Sequence, residues 1–144
     1  MVRAALGLLL ALSLVVCSSA PTSPTPTASL AGAWTGAVTR ADGRLEAFHL
    51  ALREVPVGNL STMSGTFEWR AQVGTLTGAV FGFSGSGGAA LSLQPSTPPS
   101  CPGASPPAVG QVSLRLALEG NRLTGDADVV LCSGPEAATV SLRR

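Results

Sequence analysis

Few residues in this chain of 144 could do chemistry: three cysteines, one histidine and a handful of carboxylates. Cys101 sits in a proline-rich stretch and Cys132 ends an alternating segment 31 positions later. In an oxidising compartment such an even pair is expected to form a disulfide. Closing a loop of that length contributes about 3–4 kcal/mol of stability through chain entropy. The alternative is two unpaired structural thiols. Cys17 stands apart, at the end of an apolar run and just before Ser18-Ser19-Ala20. With one histidine and no close cysteine pair, no metal site is expected.

His49 is the only candidate general base, and a base needs an oriented carboxylate or nucleophile beside it. Glu46 is three positions away, which in a strand is the opposite face. His49 therefore reads as a surface or barrel-wall residue. Asp126 and Asp128 share one strand face, with Asn121 near, and read as a solvated face rather than a cation site. Gly85-Ser86-Gly87-Gly88 approximates a dinucleotide-binding glycine motif but opens no helix, so it reads as a hairpin. No Gly-x-Ser-x-Gly elbow occurs. We therefore expect no catalytic residue, no cofactor and no enzyme activity.

The elements around these residues begin with a leader. Arg3 gives a positive start, Ala4 to Val16 is uncharged and apolar, and small residues follow. That order describes an export signal over residues 1–20. The run is short of the roughly 20 residues that span a bilayer. Leu14-Val15-Val16-Cys17 resembles the lipobox of bacterial lipoproteins, with Val16 where a small residue is usual. The resemblance implies a diacylglyceryl thioether on Cys17, cleavage just before it and an acylated new N-terminus. Ordinary signal peptidase cleavage after Ala20 and an uncleaved anchor remain as alternatives. Two or more acyl chains hold a protein durably at a membrane, whereas one does so weakly. Residues Pro21 to Ser29, rich in Pro, Thr and Ser, read as an extended tether.

Residues 30–144 are enough for one domain with one core. All nine basic residues are Arg, net charge is +1, and no basic block exists. The electrostatic footprint of a nucleic-acid binder is therefore missing. From Leu30 onward the pattern has period two, which marks half-buried strands. Eight are expected: Leu30–Arg40, Leu45–Glu54, Met63–Ala71, Thr75–Phe83, Ala89–Gln94, Val112–Glu119, Leu123–Leu131 and Ala138–Leu142. Asp42-Gly43 and Gly120-Asn121 read as two-residue hairpin turns. Pro56 to Ser61, Ser84 to Gly88 and the proline-rich Pro95 to Gly110 read as connections.

A weak repeat of large apolar residue, hydroxyl and glycine recurs at Trp34-Thr35-Gly36, Met63-Ser64-Gly65, Leu76-Thr77-Gly78 and Leu123-Thr124-Gly125. Glycine weakens a strand unless the sheet bends or another backbone comes close. The fold class expected is all-β, an eight-stranded antiparallel meander closed as an up-and-down barrel or split into a two-sheet sandwich. An outer-membrane barrel is disfavoured, because there is no Tyr and no aromatic girdle.

Gly32-Ala33-Trp34 resembles the Gly-x-Trp opening of lipocalins and avidins, small meander barrels that bind ligands in the barrel mouth. The resemblance implies a shape, with Trp34 plugging the barrel floor. On this reading Trp34, Phe67, Trp69 and Phe81, with Phe48 and Phe83, are candidates to line an apolar cavity. The expected function is an exported cell-envelope lipoprotein, held at a cell or outer membrane by lipid on Cys17, or else secreted or periplasmic. Its small β domain would bind an apolar small molecule or an envelope protein, and no nucleic acid. The alternative is a structural or interaction protein with a filled core, and an enzyme of unknown type is the third reading.

Overall fold

The alternation in the sequence builds strands whose even and odd residues face opposite ways. A computed structural model describes residues 28–103 and 110–144. Cys17, the export signal and most of the tether lie outside the described residues. Among the described residues eight antiparallel strands form: β1 (Gly32–Thr39), β2 (Leu45–Val57), β3 (Leu60–Ala71), β4 (Gly74–Gly85), β5 (Gly88–Pro95), β6 (Gln111–Glu119), β7 (Arg122–Leu131) and β8 (Gly134–Arg143). Each pairs with the next, and β1 also pairs with β8, so the sheet closes as a barrel rather than splitting into a sandwich. Closure gives each strand a neighbour on both sides. Among the described residues no helix is long and apolar enough to cross a membrane.

The up-and-down order puts the connections alternately at two ends. One end carries the β2–β3, β4–β5 and β6–β7 hairpins, the start of β1 and the end of β8; we call it the Glu54 end. The other carries the β1–β2, β3–β4, β5–β6 and β7–β8 connections and is the disulfide end. Four turns differ from expectation, the simplest being β7–β8, where β8 begins at Gly134 rather than Ala138 and only Cys132-Ser133 turn. Pro56 to Ser61 is not a loop, since β2 and β3 run on to Val57 and Leu60 and only Gly58-Asn59 turn. The β4–β5 turn is likewise tight: Ser86 and Gly87 both take positive φ, 45° and 83°, as the favoured hairpin geometry demands. Asp42-Gly43 is the reverse case, sitting inside a longer connection closed by Arg40 N–H to Arg44 O and Gly43 N–H to Arg40 O, each 2.9 Å.

The recurring glycines are where strands come closest. A Cβ on Gly36, Gly65, Gly78 or Gly125 would overlap the carbonyl oxygen of Ser141, Ala51, Gln94 or Arg115 on the neighbouring strand. Gly82, which the repeat does not include, does the same against Ala90. These glycines let backbones crowd together so that a small barrel can curve shut.

Inside, the barrel is filled. Trp34, Phe48, Leu50, Trp69, Val80, Leu93, Leu114, Leu123, Val129 and Leu142 are fully buried in one cluster. Phe48 packs tilted against Phe67 and edge-on against Trp69, with ring centroids 6.3 and 6.2 Å apart. Outward positions instead carry His49, Arg53, Glu68, Arg70, Arg115, Asp126 and Asp128. This is the reverse of a membrane-spanning barrel, whose apolar band faces out.

A disulfide joins Cys101 to Cys132, with Cα atoms 5.2 Å apart. It fastens the β5–β6 connection to the turn after β7. Replacing both cysteines by serine is expected to lower unfolding free energy by about 3–4 kcal/mol. Denaturant titration of the oxidised protein and the double variant checks this, and reduction of the parent should give a similar loss.

Candidate functional site

Trp34, Phe67 and Trp69 point into the barrel, as expected of cavity-lining candidates, but what they meet is packed side chain. Five recesses among the described residues lie at the barrel ends or on its outer wall. Phe81 requires correction. It is 51% exposed on the outer wall, and Phe83 is 60% exposed beside it. The reason is parity: Leu76, Gly78, Val80, Gly82 and Ser84 take the inward positions of β4, so the odd residues face out.

The two tryptophans stopper opposite ends. Trp34, at the Glu54 end, donates its indole N–H to Leu30 O at 2.9 Å. The Arg144 guanidinium lies 4.4 Å from its ring centroid. Trp69, near the disulfide end, has the Arg40 guanidinium 5.7 Å from its ring centroid. Each ring thus presents a face to a cation, an arrangement favoured by the ring quadrupole.

At the Glu54 end the Glu54 carboxylate acts as a clasp. Ser29 Oγ–H donates to Oε2 at 2.7 Å, Leu30 N–H to Oε2 at 2.9 Å, and Ser84 Oγ–H to Oε1 at 2.9 Å. Residues 29 and 30 are so drawn across the barrel mouth, where buried Leu30 covers Trp34. A recess of about 380 Å³ opens outside this plug, lined by Ser29, Glu54, Leu60, Ser84 and the β4–β5 turn. Burial raises the Glu54 pKa, but the hydrogen bonds from Ser29, Ser84 and Leu30 outweigh it and hold the carboxyl below its ordinary value. A depressed pKa means the clasp stabilises the fold at neutral pH and that the contribution fades as pH falls through the lowered value. Glu54→Gln should therefore be less stable than the parent at pH 7, and the gap should narrow as pH falls below the ordinary carboxylate range. Paired denaturant titrations across that range check the sign.

The disulfide end holds the densest charge chemistry. Arg40 donates through Nε to Glu136 Oε1 at 3.1 Å and pairs through Nη2 with Oε2. Its Nη1 lies 3.8 Å from Glu46 Oε2. Arg40 and Ala41 N–H hold the Glu136 carboxyl below its ordinary pKa, with burial opposing them. Glu46 is only 5% exposed on the inward face of β2, and its Oε1 accepts from Gln72 N–H at 3.0 Å. Glu46 Oε2 and Trp69 Nε1 are buried without a hydrogen-bond partner among the described residues. A recess of about 420 Å³ opens here, lined by Arg40, Glu46, Gln72, Ser100, Cys132 and Ser133. One guanidinium against two carboxylates leaves excess negative charge. The arrangement suits a hydrogen-bond donor or a cationic group. A buried polar atom left unpaired costs about 1–3 kcal/mol.

This trio was not foreseen from the sequence. The available signal was parity: Glu46 shares the face of Phe48, Leu50 and Leu52. His49 faces outward, in register with Thr35 and Glu68, and Glu68 bonds Arg70 instead at 3.3 Å. Asp128 pairs with Arg115 across the outer wall at 3.4 Å. Among the described residues no group of three His, Cys, Asp or Glu side chains could hold a metal ion. Compared with known proteins, the chain matches no family model, no curated protein and no solved structure.

Proposed function

We propose that the chain is an exported envelope lipoprotein, anchored through Cys17, whose barrel is a filled interaction module. The observation that favours this over a ligand carrier is the interior: Trp34, Phe48, Phe67 and Trp69 are buried with aliphatic side chains in one cluster, whereas a carrier encloses its ligand in a largely apolar cavity. The disulfide is compatible with an oxidising compartment and so with export. Recognition then falls to the barrel ends. The disulfide-end recess, with Glu46 and Arg40 behind it, supports contact with a donor-bearing or cationic group on an envelope protein.

Intact mass of the chain from its native membrane fraction tests the anchor. A species starting at Cys17 with added acyl mass and two hydrogens lost to the disulfide is the expected result. An unacylated species cut after Ala20, or the uncut chain, would remove the anchor. An apolar fluorescent probe tests the filled barrel. A saturable one-to-one complex that quenches Trp34 and Trp69 would restore the carrier role.

A further inference from the structure

Exposed apolar side chains are not scattered evenly over the barrel. Val55, Val57, Leu60, Phe81 and Phe83 are all at least half exposed. They lie together on the outer wall of β2, β3 and β4. Val57 is in register with Leu60, Val55 with Thr62, Thr62 with Phe83, and Ser64 with Phe81. The β4 residues facing out with them are Thr75, Thr77, Ala79 and Gly85, and on β5 they are Gly88, Ala90, Ser92 and Gln94. None of these carries a charge. A contiguous apolar patch of this kind marks a contact surface, whereas isolated apolar residues do not.

The patch occupies the Glu54 end, and so does the point where the chain arrives. Glu54 pins Ser29 and Leu30 at that end, one strand over from Val57 and Leu60. Ten residues, 18–27, separate Cys17 from Ala28. Fully extended they reach about 33–36 Å, so an anchor on Cys17 keeps this end within that distance of lipid. On the far flank of the same end Arg122 and Arg143 face each other across β7 and β8, and Arg144, bonded through its N–H to Asn121 O, keeps its guanidinium over Trp34. All three are exposed, and Glu119 is the carboxylate in register with Arg122. Apolar hairpin residues on one flank and arginines on the other flank of the same end fit an anionic lipid interface, where arginine heads remain with the phosphates. Tethering raises the local concentration of lipid, so even a weak patch would stay engaged.

We propose that this end of the barrel docks on an anionic bilayer surface, inserting Leu60, Phe83 and their neighbours between headgroups. The proposal rests on the anchored reading above, and it orients the disulfide end away from the membrane. The test uses the membrane-extracted chain carrying Phe83→Trp, Leu60→Trp or, at the opposite end, Leu45→Trp. Leu45 is 71% exposed, so a tryptophan there is a matched control. Each is placed in vesicles of phosphatidylethanolamine and phosphatidylglycerol with brominated acyl chains, and emission is compared with the parent. The added tryptophan at 83 or 60 should shift to the blue and lose about half its intensity or more, while that at 45 stays unchanged. Intact mass of the same preparation reads the anchor separately. Acylated chain without quenching at 83 and 60 would overturn docking and leave the anchor standing. Quenching at 83 and 60 in an unacylated chain would keep docking and remove the anchor. Equal quenching at all three positions would overturn the orientation. A blue shift without bromine quenching, in particles of doubled mass, would assign the patch to a second copy and overturn lipid docking.

Discussion

Gly65→Ala is expected to destabilise the barrel by about 3 kcal/mol or more, beyond the usual cost of an added methyl. The new Cβ would fall on Ala51 O and close to the Leu52 Cα, both backbone atoms of β2. Backbone cannot rotate aside as a side chain can. Relief would require β2 and β3 to separate, and β3 pairs with β2 along ten residues from Leu60 to Trp69. The matched control is Gly85→Ala. There the nearest atom is the Leu60 Cδ2 methyl at 2.7 Å, the tip of an exposed side chain that can turn away. Its cost should stay within about 1 kcal/mol. Unfolding titrations of the two variants separate the explanations. Equal losses would show that strand propensity, not close approach, decides. Against a total stability of about 5–15 kcal/mol, the Gly65 variant should be partly unfolded or poorly soluble when made.

These glycines also show how much of the fold could be read in advance. The alternation of Leu114, Leu116 and Leu118 or of Phe48, Leu50 and Leu52 is local, and strands follow from it directly. The repeated glycine after a hydroxyl named Gly36, Gly65, Gly78 and Gly125 but not the close approaches at Gly82 and Gly88, because the physical demand for bending recurs in several strands. Gly82 escaped because Phe81 and Phe83 flank it. Those two rings suggested an interior face, yet Gly78 and Gly82 share parity with Leu76 and Val80, and that parity wins. Barrel versus sandwich rests on the β1–β8 pairing, which joins segments about a hundred residues apart and leaves no local mark. The Arg40–Glu136 pair is equally distant, separated by 96 positions. The disulfide was legible because oxidised cysteines must find one another and only two remained. The apolar patch was not, since it appears only once β2, β3 and β4 lie side by side.

Trp34→Ala is expected to cost about 3–5 kcal/mol, the range for truncating a fully buried tryptophan. Three losses combine. The indole leaves a cavity at the Glu54 end under Leu30. Leu30 O loses its donor. Arg144 loses the ring beneath its guanidinium. Trp34→Phe keeps an aromatic ring but removes the N–H and part of the indole's bulk, so about 1–2 kcal/mol is expected from the unpaired carbonyl and the smaller ring. The two variants also test the plug as a unit. If Trp34, Leu30 and the Glu54 clasp act together, Trp34→Ala should release residues 28–31, and Glu54→Gln added to it should cost far less than it does alone. Hydrogen exchange at Leu30 N–H, which Glu54 protects in the parent, should then rise toward the unfolded rate. Additive losses would mean that the clasp closes the barrel mouth without help from the ring. Coupled losses would make the chain's arrival point and the barrel core one cooperative structure, so that pulling on the tether is resisted by the packing of the whole interior.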